Sequence, residues 1–476
     1  MRYLALIKYS GIFILGYILL LSLSYGEIGL QPIFTIIVGL GIWLIAKKLH
    51  TIYDKLGIRE TFLGLLILGG AVRLLWAIFI PTIPVSDFQY YNDAALGLSQ
   101  GIPTASKNMG FTLLLSLGYR IYPNILTGKI INAIASTISI LLLYRIGSKL
   151  INPQVGLIAA LIFSVFPSEV IMVSVLGTEL VGTMMGLIIV FLLFNLDRTR
   201  YRFILLSLFL AGLFYGLSLT MRSSFLFYLP VIVLYIFVIA FLTVKQKVEI
   251  FSIFLVGIVA GLSLIVMSYS LIVGHISIEP IATQDSFPFL SGTNVDSLGG
   301  WSQSDADLYF SWPSAERDKL ARQEAFNRII TNPREFLEFI PVKIAVLMGD
   351  NDYGTLWSLK AIDWGKGNFW GIYAPDGNDW SKYAAIRSRI IRISSLLTQS
   401  TYIIVWFFAF LAFKNHKISL VPMLVLTVIF FTLLPHIVLE VQSRYHHYIM
   451  PMIILLASTQ INTFSKNNSN QGNGSG

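Results

Sequence analysis

The sequence predicts an all-α polytopic membrane protein with about twelve transmembrane helices. Hydrophobic residues make up 55% of its 476 residues, and charged residues make up only 12%. The mean hydropathy of +0.73 excludes an ordinary soluble domain. The apolar residues also fall into runs that are long enough to cross about 30 Å of hydrocarbon. These runs lie near residues 9–25, 31–47, 60–80, 124–146, 153–170, 178–196, 203–221, 224–243, 250–273, 396–413, 418–437 and 448–464.

Basic residues in the links between the runs indicate how the chain is oriented. Lysine and arginine concentrate in the links that follow the second, fourth, sixth, eighth and tenth runs. Because cytoplasmic loops are enriched in these residues, this side is predicted to be the cytoplasm. Both termini are then cytoplasmic, and the loop of residues 81–123 faces outward. The net charge of +9 reflects this orientation, and nucleic acid is not predicted as a partner.

Several classes of chemistry are excluded by missing residues and motifs. The absence of cysteine rules out disulfides, thiol catalysis and thiolate metal sites. The sequence also lacks the phosphate-binding loop, the dinucleotide glycine fingerprint, the His-Glu-x-x-His zinc motif and the Gly-x-Ser-x-Gly elbow. Nucleotide-driven chemistry is therefore not predicted. No cofactor is predicted with certainty, and the sequence leaves open whether the protein binds a divalent cation.

Composition divides the chain into four parts. Residues 1–273 form a transmembrane region that contains the outer loop 81–123, and its first apolar run is interpreted as a retained span because no convincing cleavage site follows it. Residues 274–395 hold six of the nine tryptophans and fifteen of the twenty-five acidic residues, which predicts a mixed extracytoplasmic subdomain. Residues 396–464 form C-terminal transmembrane helices. The Asn/Gly/Ser-rich residues 465–476 are predicted to be a disordered tail.

Two helices lying along the membrane surface are predicted in the loop 81–123. Prolines end the preceding span, Ser86 can cap a new helix, and residues 87–98 have the pattern of an interfacial helix. The second stretch, residues 109–122, is apolar but too short to cross the membrane. The loop therefore presents two helices at the outer surface.

Asp87 is the candidate catalytic residue. At helical spacing it shares a face with Tyr90 and Tyr91, whereas Asp93 points well away from it. The two aspartates are poorly placed to chelate one metal ion. A single carboxylate among aromatic residues at a membrane surface is typical of a general base that activates an acceptor. The alternative is that Asp87 only interacts favourably with the helix dipole.

Other ionisable residues lie at the outer ends of the predicted spans, where a charged group is energetically costly and calls for a structural or functional explanation. Glu169 and Glu179 flank the turn between the fifth and sixth spans, and with Asp93 they are candidates for positioning an acceptor or a cation. Arg222 lies in a hairpin between spans and can grip a lipid phosphate with two hydrogen bonds. Lys343 is a second phosphate-binding candidate. The alternatives are solvated carboxylates and basic residues that reach to lipid headgroups.

A further cluster precedes the last predicted span, where Glu440, Arg444, His446 and His447 follow one another closely. Adjacent histidines on a helix point about 100° apart, which makes them a poor metal pair. Arginine and histidine together suit a phosphate or pyrophosphate. Arg444 and His446 are therefore candidates for binding the phosphate of a donor.

The order of these features resembles the GT-C membrane glycosyltransferases, in particular the protein O-mannosyltransferases and lipid A aminoarabinose transferases of the glycosyltransferase 39-like branch. The resemblance covers most of residues 60–460, and the shared order of the motifs is more specific than any one of them. The motifs are Ser86-Asp87-Phe-Gln-Tyr-Tyr, Gly110-Phe-Thr-Leu-Leu-Leu-Ser-Leu-Gly-Tyr-Arg120, Leu157-Ile-Ala-Ala-Leu-Ile-Phe-Ser-Val-Phe-Pro167, Gly177-Thr-Glu179, Gly216-Leu-Ser-Leu-Thr-Met-Arg222 and Arg444-Tyr-His-His-Tyr-Ile-Met-Pro451.

The resemblance implies transfer of a sugar from a polyprenyl-phosphate donor to a protein, lipid or glycan acceptor on the outer face of the membrane, with inversion. It implies that Asp87 is the base and that Arg222 and Arg444 hold the donor phosphate. One departure from the mannosyltransferase branch is that Asp87 is followed by Phe88, where that branch usually has an Asp-Glu pair.

Besides a structural or assembly membrane protein without catalysis, two other function classes stay open from the sequence. One is a polymerase or ligase that uses a polyprenyl-pyrophosphate glycan. The other is a transporter of lipid or sugar without catalysis, although the ionisable residues gather at the outer ends of spans and not near the bilayer midplane. Membrane lipids are expected partners in every case.

Overall fold

All regular elements in the part of the chain that the computed structural model describes are helices. The described residues are 2–25, 29–104, 106–194, 201–238, 242–278, 286–359, 381–415 and 420–472. The helices are α1 (Arg2–Ser24), α2 (Gln31–Leu56), α3 (Ile58–Phe79), α4 (Asp87–Ser99), α5 (Met109–Ile121), α6 (Ile125–Leu150), α7 (Pro153–Val165), α8 (Pro167–Ile171), α9 (Glu179–Phe194), α10 (Tyr201–Met221), α11 (Leu229–Val238), α12 (Val244–Val273), α13 (Phe287–Gly292), α14 (Gln303–Ser311), α15 (Arg317–Thr331), α16 (Pro333–Met348), α17 (Tyr353–Leu359), α18 (Ser381–Asn415), α19 (Leu420–His436) and α20 (Met450–Gly472).

Seven of the described helices are long and apolar enough to cross a membrane. An eighth crossing results if α7 and the residues after Pro167 form one bent span. Shorter apolar helices cover parts of the predicted spans 178–196, 224–243 and 418–437. The protein is therefore an integral membrane protein by the length and composition of its helices, and the number of about twelve crossings stays a prediction.

Local sequence signals explain where the long helices begin. The side chain of Asn124 accepts a hydrogen bond from the Leu126 amide at the start of α6, and Asn152 does the same for α7, followed by Pro153 in the first turn. Thr243 and Gln246 form a reciprocal capping box at the start of α12. Each cap satisfies backbone donors that the first helical turn leaves without an intrahelical partner.

The break between α7 and α8 shapes the interior near the candidate site. The residue before a proline is forced out of the helical conformation, and Phe166 accordingly has an extended backbone. The chain bends by 52° at this point. The short helix after Pro167 therefore turns inward and carries Glu169 to a fully buried position.

Helices α10 and α12 pack backbone to backbone. Gly212 and Gly216 of α10 face Gly257 and Gly261 of α12, and each pair has the spacing of the small-xxx-small motif of membrane helices. A Cβ atom on Gly212 would overlap the carbonyl oxygen of Phe254. This close approach fixes the end of α10, from which Arg222 projects.

Replacing Gly212 by alanine is expected to destabilise the protein, because the new methyl group meets a backbone carbonyl that cannot move alone. Overpacking of this kind costs about 1–3 kcal/mol. Thermal unfolding in detergent should therefore begin at a lower temperature. Gly64→Ala is the matched control, since a Cβ on Gly64 meets nothing within 4 Å; equal unfolding temperatures for the two variants would contradict the packing argument.

The predicted outer parts of the chain are represented by helices. Helices α4 and α5 occupy the two stretches predicted in the loop 81–123, and their position in a membrane interface stays a prediction. The described part of 274–395 consists of α13 to α17 and the start of α18, whereas residues 360–380 lie outside the described residues. The predicted tail 465–476 overlaps the end of α20, which continues to Gly472.

Candidate active site

Asp87 is the first residue of α4, and its side chain is 54% exposed. The preceding residue, Ser86, has a φ of 55°, a left-handed conformation that is uncommon for a residue with a Cβ atom. Its hydroxyl makes no capping hydrogen bond, contrary to the sequence expectation. Backbone strain of this kind is concentrated at functional sites, where surrounding structure maintains it.

Arg444 reaches Asp87 from the other end of the sequence. Its Nη2 atom lies 3.1 Å from Asp87 Oδ2, although 357 positions separate the two residues. Arg444 belongs to the 3₁₀ turn Ser443–Ile449, and only 9% of its side chain is exposed. Its guanidinium also lies 5.1 Å from the Tyr353 ring and 5.8 Å from the Phe88 ring. These aromatic faces fix the direction of the guanidinium.

Glu179 lies between two arginines. Its Oε1 atom is 2.7 Å from Arg222 Nη1 and 3.9 Å from Arg444 Nη1. Glu179 is 1% exposed, so two positive groups surround a carboxylate that water scarcely reaches. Arg222 also donates a hydrogen bond to Thr178 Oγ1 at 3.2 Å and packs 4.7 Å from the Tyr445 ring. We call Asp87, Glu179, Arg222 and Arg444 the arginine–carboxylate cluster.

Glu169 takes no part in this cluster. It is fully buried, and its Oε1 atom lies 3.0 Å from His447 Nε2. Burial lowers the pKa of His447, but the charge and hydrogen bonding of Glu169 outweigh that effect, so the pKa is raised above its usual value. The contact between these two side chains holds the 3₁₀ turn that carries Arg444.

Arg73 caps the carbonyl groups that the break at Pro167 leaves open. Pro167 has no N–H group, so the Phe163 carbonyl loses its helical donor. Arg73 donates to the Phe163 carbonyl at 2.9 Å and to the Ser164 carbonyl at 2.8 Å. Its Nε donates to Ser136 Oγ at 2.7 Å. This buried arginine therefore stabilises the bend that positions Glu169.

The other predicted site residues lie elsewhere. Asp93 is exposed on another face of α4, where its Oδ1 atom accepts a hydrogen bond from Asn92 at 3.0 Å. His446 is buried, with Nδ1 2.6 Å from the Leu347 carbonyl oxygen. Burial lowers the pKa of His446 to about 4. These contacts give His446 a role in joining α16 to the 3₁₀ turn.

Lys343 is buried at the junction between the outer helices and the C-terminal segment. It is 1% exposed, and its amine donates hydrogen bonds to the carbonyl groups of Gly292 and Leu439, the latter at 2.9 Å. Burial lowers its pKa from 10.5 to about 7, although the Glu440 carboxylate acts in the opposite direction. The amine thus ties α16 to two backbone segments.

Stability is expected to rise between pH 7 and 10 because of Lys343. Below pH about 7 the amine is protonated in both the folded and the unfolded state, so the cost of burying the charge is present in full. As the pH rises, the folded state loses this proton first, and the unfolded state binds more protons. Thermal unfolding of the intact protein should therefore shift upward across this range, and Lys343→Met should weaken the shift. An unchanged pH dependence in Lys343→Met, compared with the exposed control Lys319→Met, would contradict this assignment.

All four members of the cluster are candidates from the sequence: Asp87 from the helix predicted in the outer loop, and Glu179, Arg222 and Arg444 from their place at the outer ends of spans. Sequence reasoning missed Arg73, Ser136 and His447 as buried partners. The sequence does contain a signal for Arg73, because a charged residue inside an apolar run indicates a partner within the protein. Within the described residues, no three histidine, aspartate or glutamate side chains form a group that can hold a metal ion.

Comparison with known proteins gives only distant similarity. No family model matches the chain, and no curated protein matches it. Among solved structures, the chain is similar to the archaeal oligosaccharyltransferase AglB from Archaeoglobus fulgidus in complex with an inhibitory peptide and a dolichol-phosphate, with a TM-score of 0.46, 12% identity, and coverage of 88% of this chain and 52% of that one. It is also similar to the oligosaccharyltransferase of that organism tethered to an acceptor peptide containing the NVT sequon, with a TM-score of 0.45, 12% identity and coverage of 87% and 50%. The chain therefore spans about half the length of these proteins.

Proposed function

We propose that this protein is a glycosyltransferase that uses a polyprenyl-phosphate sugar donor at the extracytoplasmic face of the membrane. In this proposal Asp87 is the base, Arg222 and Arg444 hold the donor phosphate, and the reaction inverts the anomeric carbon. The observation that carries the proposal is the cluster of one exposed carboxylate and two guanidinium groups. Arg444 lies 3.1 Å from Asp87, and Glu179 joins Arg444 to Arg222.

The two arginines suit a lipid phosphate. A guanidinium group offers paired donors that match phosphate oxygens, and its attraction is stronger where water is scarce. Arg222 is 12% exposed and Arg444 is 9% exposed, so both keep a small open surface for a ligand. Glu179 keeps the two positive charges together when no donor is bound. The pair can then stabilise the charge that develops on the departing phosphate.

Asp87 suits the removal of the acceptor proton. Its carboxylate is more exposed than any other member of the cluster, and among the described residues its ion-pair partner is Arg444. When a donor phosphate attracts Arg444, this pairing weakens and Asp87 becomes free to accept a proton. The acceptor oxygen then bonds to the anomeric carbon as the carbon–oxygen bond to phosphate breaks. A single displacement of this kind inverts the configuration.

In this proposal the buried contacts around the cluster hold its side chains in position. The His447–Glu169 pair and Arg73 fix the turn and the helix break on which Arg444 and Glu179 depend. Glu169 is fully buried, so it does not meet the acceptor. Asp93 also lies away from the reacting groups, on another face of α4.

The proposal is tested with a panel of radiolabelled polyprenyl-phosphate monosaccharides and with membranes that contain or lack the protein. Release of sugar from one donor, only in membranes that contain the protein, is the expected result. Activity restricted to polyprenyl-pyrophosphate glycans would replace the proposal with the polymerase or ligase alternative. Movement of a labelled lipid without any transfer would favour a transporter.

A further inference from the structure

Tyr445 contacts both guanidinium groups of the arginine–carboxylate cluster. The centre of its half-buried ring is 4.7 Å from the guanidinium carbon of Arg222 and 5.5 Å from that of Arg444. Both distances lie within the range of an attractive cation–π contact. Among the described residues, Tyr445 is the one aromatic side chain that makes this contact with both arginines. It therefore joins the end of α10 to the 3₁₀ turn Ser443–Ile449.

The two arginines need support of this kind because their charges repel each other. The Nη1 atoms of Arg222 and Arg444 approach the same oxygen of Glu179, so one small anion can reach both groups. An incoming phosphate competes with Glu179 for these N–H donors. The face of an aromatic ring attracts a cation without adding a competing anion. Tyr445 can therefore hold both arginines while a phosphate is bound.

The orientation of Tyr445 is fixed from two other elements. Its hydroxyl donates a hydrogen bond to Glu440 Oε1 at 3.2 Å, and its ring lies 5.4 Å from the ring of His436, the last residue of α19. Glu440 is 7% exposed, and its backbone amide donates to the Pro288 carbonyl of α13 at 2.7 Å. The ring is thus held in place before a ligand arrives, which lowers the entropy cost of binding.

The backbone beside Glu440 is held equally firmly by the outer helices. A Cβ atom on Gly292, at the end of α13, would overlap the backbone of Leu439 and Glu440. The amine of Lys343 in α16 donates to the carbonyl groups of both Gly292 and Leu439. Fixed contacts therefore run from α13 and α16 through Glu440 to the ring of Tyr445.

We propose that Tyr445 is a positioning residue that holds Arg222 and Arg444 together for one phosphate group, and that Glu440 and α13 fix the direction of its ring. The inference rests on the proposed function, because that function assigns the two arginines to the donor phosphate. Tyr445 acts on the affinity for phosphate through the arginines and not by contact with the donor.

The test compares three variants of the full-length protein in lipid nanodiscs. Tyr445→Leu removes the ring, and Tyr445→Phe removes only the hydroxyl. Tyr235→Leu is the matched control, since Tyr235 is a half-buried tyrosine of α11 whose hydroxyl donates to the Leu193 carbonyl at 3.0 Å and whose ring lies 4.9 Å from the Phe194 ring. The affinity for polyprenyl phosphate and for uncharged polyprenol is measured for each variant, and size-exclusion profiles identify any variant that fails to fold.

Tyr445→Leu is expected to weaken binding of polyprenyl phosphate by about tenfold, because both arginines lose an aromatic contact that is shielded from water. Tyr445→Phe should regain part of this loss, since it keeps the ring. Tyr235→Leu should bind as the intact protein does, and polyprenol should bind equally to all variants. The proposal is overturned if Tyr445→Leu binds polyprenyl phosphate as tightly as Tyr235→Leu does. It is also overturned if Tyr445→Phe is as weak as Tyr445→Leu, because the ring would then have no part in the effect.

A double-mutant cycle in thermal stability tests the same contact without a ligand. Tyr445→Leu and Arg222→Gln remove opposite sides of one contact, so the double variant should lose less stability than the two single losses together. Tyr235→Leu combined with Arg222→Gln should give additive losses. Additive losses for Tyr445 and Arg222 would overturn the proposal. If the intact protein binds polyprenyl phosphate no better than polyprenol, the proposed function fails, and the cycle then decides whether Tyr445 holds Arg222.

Discussion

Changing Asp87 to asparagine is expected to lower the rate of sugar transfer by a factor of about 10²–10⁴, the usual contribution of a general base. Asparagine keeps the shape of the side chain but cannot accept the acceptor proton at neutral pH. Binding of the donor should not weaken, because the change releases Arg444 from its carboxylate partner. The measurement is single-turnover release of labelled sugar at saturating donor.

Asp93→Asn is the matched control for this prediction. It removes a carboxylate from the same helix, but Asp93 is exposed on another face and contacts Asn92. Its transfer rate should stay close to that of the intact protein. Equal activity of the Asp87 and Asp93 variants would mean that Asp87 only contributes to the start of α4.

Changing Arg222 to glutamine is expected to weaken both folding and donor binding. Glu179 is 1% exposed and would keep Arg444, at 3.9 Å, as its remaining arginine partner among the described residues. Removing one member of a buried ion pair costs about 3–5 kcal/mol. Because Arg222 is partly exposed, the expected loss of stability lies toward the lower end of this range. Thermal unfolding and donor affinity should both fall.

The double variant Glu179→Gln/Arg222→Gln separates the structural role of Arg222 from its proposed binding role. With both charges removed, position 179 no longer leaves a buried carboxylate without its partner, so much of the lost stability should return. Donor affinity should stay low, because the phosphate still lacks Arg222. Recovery of affinity together with stability would mean that Arg222 serves Glu179 and does not bind the donor.

The sequence predicts the helical architecture and the separate members of the cluster, because both depend on local signals. Apolar runs indicate membrane helices, and charges at their ends indicate groups at the membrane surface. The sequence cannot place Arg444 beside Asp87, since the contact joins residues 357 positions apart. Only the resemblance to a known family suggested that both act in one site.

The two histidines of the last cluster illustrate the limit of pattern reasoning. His446 is one of the four predicted phosphate ligands; its Nδ1 contacts the Leu347 carbonyl, whereas His447 faces Glu169. The rotation of the 3₁₀ turn decides which histidine faces which element. Lys343 shows the same limit, because no local sequence signal indicates that the carbonyl groups of Gly292 and Leu439 converge on its amine.

The most direct test of the account is an experimental structure of Asp87→Asn in a nanodisc with its polyprenyl-phosphate sugar bound. The account predicts phosphate oxygens within about 3 Å of the guanidinium groups of Arg222 and Arg444, with the anomeric carbon facing the side chain at position 87. A phosphate bound elsewhere, with the arginine–carboxylate cluster unchanged, would contradict the account.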